Sequence, residues 1–138
     1  MSSNNIFEAE LADLKDFLAN FADVPDEMWN YISAHIHRMS LSRNSYLIRK
    51  GDTVDKIYFV RSGLMRVYYS KEDGTEINRN FVFENRFFTN SLSLLTSIPS
   101  HYEVQALEDT RLLYFAKEVL ESIYEKYPVG NKIGRLLA

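Results

Sequence analysis

Hydroxyl side chains crowd together at Thr89, Ser91 and Ser93, with Asn90 between the first two. Phe87-Phe88 and Leu92, Leu94 and Leu95 bracket them, and after Ile98-Pro99 the chain returns to period-two alternation through Tyr102, Val104 and Ala106. The pattern predicts a loop with one short helical turn, inserted between strands. Such a turn leaves backbone N–H groups free at its start, so the chemistry on offer is anion binding. Arg79 is the second candidate. On a strand from Thr75 to Phe83, alternation puts it on the same face as Ile77, Phe81 and Phe83. A guanidinium on an apolar face needs a partner. That partner is an anionic ligand or a carboxylate such as Glu84 or Glu103, unless the side chain snorkels out to solvent. No Ser-His-Asp arrangement, glycine-rich nucleotide loop or metal-ligand spacing accompanies these residues, and enzymatic activity is not expected.

The elements that must position this chemistry belong to an ordinary globular chain. Its 138 residues are 46% hydrophobic and 25% charged, enough for one sizeable core. Lys and Arg number 16 against 19 Asp and Glu, and the basic residues are scattered, so nucleic-acid binding by this chain alone is not expected. The absence of cysteine excludes disulfides, Cys-rich zinc sites and Cys-ligated iron–sulfur clusters. No apolar run approaches the ~20 residues of a membrane span, and the N-terminus lacks a basic-then-apolar signal. A cytoplasmic location is expected.

Phe7, Leu11, Leu14, Leu18 and Phe21 form one face of an amphipathic helix from about Ile6 to Ala22. Glu8, Glu10, Asp13 and Asp16 read as its solvated side. Pro25 with Asp26 and Glu27 starts a second helix, with Met28, Trp29, Ile32 and Ile36 buried. From Arg38 short strands take over: Tyr46–Ile48, Lys56–Val60, Leu64–Tyr69 and Ile77–Phe83, with Asp73-Gly74 as the strongest hairpin signal and Asn85 able to turn left-handed. Glu108-Asp109 turns the chain into a strand from Arg111 to Phe115, and Lys117–Tyr127 is helical with Pro128 at its end. Two helices, roughly eight antiparallel strands and two helices describe a mainly β domain with flanking helices, a jelly roll.

Within this frame the run Gly51-Asp52-Thr53-Val54-Asp55-Lys56-Ile57-Tyr58-Phe59-Val60-Arg61-Ser62-Gly63-Leu64-Met65-Arg66-Val67-Tyr68 closely resembles the two-glycine core of the cyclic-nucleotide-binding domain, as found in CRP/FNR-type bacterial transcription regulators. The resemblance implies a double-stranded β-helix and spans about Asp26 to the end of the chain. With residues 1–24 set apart as an N-terminal helical segment by their own periodicity, it implies 25–127 as the roll with its flanking helices and 128–138 as the start of a dimerisation helix. The chain would then be part of a longer homodimeric regulator that reads DNA through a further domain.

In the family, the segment matching Phe87–Ala106 is a phosphate-binding cassette. A Gly-Glu pair opens its helix and holds the ribose, and an Arg some ten residues later neutralises the cyclic phosphate. The ungapped match puts Thr89-Asn90 at Gly-Glu, Ser100 at the Arg and His101 beside it, and places Val67, Arg79, Asn80 and Phe88 on the pocket wall. Ser91 and Ser93 add hydroxyls. The charged contacts are missing. Each forfeits roughly 1.5–3 kcal/mol, together roughly two to four decades in affinity. Cyclic AMP in the usual pose is therefore not expected; a small anionic effector, with Arg79 in place of the cassette Arg, is one hypothesis, and a purely structural Arg79 is the reading it competes with. No cofactor is called for. A lone His101 does not make a haem site, although related haem sensors use a His. The rivals are a ligand-free structural module and a cupin-like metalloenzyme; for the latter, His35-x-His37 lacks the Glu and Gly spacing and lies near a helix end, where the side chains diverge.

Overall fold

The computed structural model describes residues 3–127. Helix α1 (Ser3–Ala19) and helix α2 (Asp26–Ala34) precede eight strands: β1 (His37–Leu41), β2 (Tyr46–Ile48), β3 (Lys56–Ser62), β4 (Met65–Ser70), β5 (Glu76–Val82), β6 (Phe87–Phe88), β7 (Glu103–Ala106) and β8 (Thr110–Ala116). Helix α3 (Ser91–Thr96) interrupts the strands between β6 and β7, and α4 (Lys117–Lys126) follows them. Two four-stranded antiparallel sheets, in the orders β1-β8-β3-β6 and β2-β7-β4-β5, face each other as a jelly roll with flanking helices, as expected. The expected helix over 128–138 lies outside the described residues.

Strand β3 shows why this stack forms. Its run Ile57-Tyr58-Phe59-Val60 is buried throughout, because both faces are covered. Ile57 and Phe59 pack with Trp29, Leu113, Phe115 and Val119 under the helices. Tyr58 and Val60 point the other way, into an inner core with Met65, Val67, Val104 and Leu112. Each large side chain so buried contributes about 1.5–3 kcal/mol. Helix α1 closes the outer layer through Leu14 and Leu18, as its spacing predicts, but begins and ends about a turn earlier than expected.

Two sequence expectations fail in the fold. Glu10 is not part of a solvated face: it is buried and pairs with Arg38 of β1 at 3.0 Å, while Asp13 meets Arg61 of β3 at 2.7 Å. Sheet cations lie under the helix edge, which its own periodicity cannot reveal. His37 is not helical either. It opens β1 and stacks on Tyr114 at 5.3 Å, whereas His35 caps α2 and bonds through Nδ1 to the Tyr31 carbonyl at 2.8 Å.

The glycines of the two-glycine core do different work. Gly63 has φ 111°, and a Cβ there would lie 2.7 Å from the Thr110 Cα, so both conformation and space demand glycine. Gly51 has φ 95° with open space around it; its role is to turn the backbone so that its N–H reaches the Ser100 carbonyl at 2.9 Å.

Candidate ligand cavity

The cassette is assembled from its own short polar side chains. Strand β6 pairs Phe87 and Phe88 with Phe59 and Tyr58, which fixes where α3 can start. Thr89 donates its hydroxyl to the Lys56 carbonyl at 2.8 Å. Asn90 caps α3: its Oδ1 accepts from the Ser93 N–H at 3.2 Å, and its Nδ2 donates to Ser100 Oγ at 3.1 Å. Ser93 Oγ in turn accepts from the Val54 N–H at 2.8 Å, and Ser100 Oγ donates to the Tyr102 carbonyl at 2.8 Å. Ser97, with φ 62°, ends the helix, and the Ser100 N–H reaches the Asp52 carbonyl at 2.8 Å. Asn90, Ser93 and Ser100 are all buried. The network therefore satisfies groups that would otherwise be costly to bury. It also uses up part of the anion chemistry expected of this turn, since an N–H at its start is taken by Asn90.

Strand β5 forms the opposite wall. Its pairing with β4 slips by one residue, Val67 facing Asn80 and Tyr68 facing Asn78, so Arg79 is the extra residue of a β-bulge. The bulge reverses the alternation. Phe81 and Phe83, expected on the same face as Arg79, are 42% and 53% exposed and do not line the cavity, whereas Arg79 and Asn80, adjacent and also exposed, both stand on its wall. Neither carboxylate proposed as a structural partner of Arg79 serves it: Glu103 pairs with Arg49 at 3.0 Å, and among the described residues Arg79 forms no ion pair with Glu84. Its guanidinium sits 5.3 Å from the centre of the Tyr102 ring. Burial pushes the Tyr102 phenol above its ordinary pKa, and the charge on Arg79 pulls it partly back.

Between these walls lies a cavity of about 610 Å³. Eight of the nine residues singled out from the sequence line it: Val67, Arg79, Asn80, Phe88, Thr89, Asn90, Ser91 and His101. Ser100 does not, because it stands behind Asn90 as its hydrogen-bond partner. Phe87, Leu92, Ile98, Pro99 and Tyr102 complete the lining. Their only sequence signal is adjacency to the polar turn. No Asp or Glu is among the described lining residues. The chamber thus offers a cation, an imidazole, amide and hydroxyl groups and apolar surface, in the size range of small-molecule sites.

The architecture is thus a jelly roll whose short inter-strand helix faces a strand across a chamber. Residues 38–127 match the family model described as the cyclic nucleotide-binding domain, and the chain belongs to that family. The N-terminal domain of a transcriptional regulator from Streptomyces coelicolor A3(2) is similar at 25% identity and a TM-score of 0.68, over 84% of this chain and 81% of that one. The sensor domain of the transcriptional regulator DNR from Pseudomonas aeruginosa shares the fold, with a TM-score of 0.78 at 16% identity over 91% and 85% of the two chains. Among curated proteins, Neuropathy target esterase sws of Drosophila ananassae is 28% identical over 100 residues, which are 68% of this chain and 7% of that protein. The chain thus matches only a small part of that relative. No helix among the described residues is long and apolar enough to cross a membrane.

Proposed function

We propose that this chain is the effector-sensing domain of a CRP/FNR-type transcription regulator, with a pocket that does not take cyclic AMP in the family's usual pose. One observation carries the reading: Asn90 and Ser100, at the positions matched to the ribose and phosphate contacts, are bonded to each other at 3.1 Å while the cavity beside them stays open. Similarity to transcription-regulator domains supports the regulatory context. The domain acts by binding rather than by catalysis; the esterase similarity concerns a segment covering only 7% of that protein. In this setting the domain works within a homodimer in the cytoplasm, DNA is read by a separate domain, and an effector acts through its differential affinity for two states of the dimer.

Thermal unfolding with cyclic AMP and cyclic GMP tests the pose. A ligand with a Kd of about 1 μM stabilises the native state by about 4 kcal/mol at 1 mM. Neither nucleotide is expected to raise Tm measurably, and a shift of that size with cyclic AMP overturns the reading. The internal bonds of Thr89, Asn90, Ser93 and Ser100 favour a second reading, a ligand-free structural module. Phe88 and Tyr102, packed against the inner core, point the same way.

A further inference from the structure

The effector's chemistry is written in what the cavity lacks as much as in what it holds. No carboxylate is among its described lining residues, so nothing there favours a cation or can accept hydrogen bonds from a diol as strongly as a carboxylate would. Its two basic side chains, Arg79 and His101, both line the chamber, and among the described residues neither forms an ion pair. The net charge of the whole chain is -3, so this local balance runs against the average. The bulge places Arg79, an exposed residue, on the chamber wall, and its guanidinium lies 5.3 Å from the centre of the Tyr102 ring, a contact that consumes none of its hydrogen-bond donors. The planar fork of an arginine suits a carboxylate or a phosphate. Phe88 and Ile98 supply apolar surface in the same chamber.

We infer that the cavity binds a small organic anion with a flat apolar body. The carboxylate or phosphate sits on Arg79 with His101 beside it, and the body lies against Phe88, Ile98 and the Tyr102 ring. This inference rests on the effector-sensing reading and specifies its ligand class. The anion is then held from the strand wall, whereas the family resemblance places that contact on the cassette.

Phenylacetate, phenyl phosphate and neutral phenylacetamide are suitable probes, titrated into the wild-type chain and followed by thermal shift and calorimetry. Binding of at least one anion at about 10 mM is expected, with the amide about tenfold or more weaker. The preferred anion separates the carboxylate and phosphate classes. Arg79→Met is expected to lose about ten- to a hundredfold in anion affinity, as for a lost hydrogen bond to a charged group, and Arg79→Lys to keep part of it. Circular dichroism of both variants without ligand checks that they fold, and the Lys variant carries the test if the Met variant does not. If the amide binds as well as the anions, or the variants bind as wild type, the anion inference falls and the effector-sensing reading stands. If none of the three probes binds, the anion inference falls, and the effector-sensing reading is judged by the cyclic-nucleotide titration.

Discussion

The two walls of the cavity use their polar side chains differently. On the cassette wall, Thr89, Asn90, Ser93 and Ser100 are short, close to the backbone and bonded to it or to each other. On the strand wall, Arg79 is long, is re-aimed by a bulge and has only a ring beneath it. The first wall spends its polarity on its own shape. The second keeps its charge available. In the function proposed above, the site retains the family's architecture and moves its electrostatic anchor across the chamber.

The comparison is broken most severely by putting the charges back. Asn90→Glu together with Ser100→Arg removes the internal bond and restores the types the family uses, so cyclic AMP affinity is expected to rise by roughly two to four decades over wild type, read by calorimetry. No gain means that the cassette's shape, and not only its charges, has diverged.

A smaller effect separates the walls by stability. Asn90→Ala loses the helix cap and one of the two donors to Ser100 Oγ, the Tyr102 N–H at 3.3 Å remaining, which should cost about 1–2 kcal/mol in a denaturant titration. Arg79→Met, at an exposed residue, is expected to stay within about 1 kcal/mol, including the loss of its contact with Tyr102. Equal costs would remove the distinction between a structural wall and a binding wall.

The smallest effect lies in the alkaline limb. Burial, aided by the charge of Asp55, pushes Tyr58 up to about 12. A phenol whose pKa is higher folded than unfolded adds stability that is complete below about pH 10 and disappears as pH rises through the folded value. Stability should therefore fall between pH 10 and 12, and Tyr58→Phe should flatten that fall. In the same titration, Arg79→Met should raise the Tyr102 value further, because the guanidinium now opposes the effect of burial. An unmoved Tyr102 would place Arg79 away from that ring in solution.

Much of this molecule was legible in its residues. The glycines at 51 and 63, the Asp73-Gly74 hairpin and the apolar periods predicted the roll, the outer helices and most strand limits. Gly74 and Asn85 do take positive φ, at 88° and 61°. These features are local: a turn needs particular residues at its own positions, and a buried face shows its period along the chain. Strand β6 was missed because two residues carry no period, and its pairing with β3 is a long-range fact.

Most of the nine candidate site residues came from a motif laid along the chain, Ser91 from the cluster of hydroxyls and Arg79 also from strand alternation, and the motif carried positions rather than contacts. That Asn90 and Ser100 would close on each other was not readable, since a hydrogen bond across ten residues depends on how the loop folds back to Gly51 and Asp52. The direction of Arg79 was not readable either. Alternation assumes an unbroken ladder, and one extra residue opposite Val67 and Tyr68 shifts the phase of everything beyond it. The sequence alone determined the family and the order of elements, because these are properties of residue type and spacing. Only the tertiary structure decided which polar groups are spent and which remain free, because that depends on groups far apart in the chain meeting across the roll.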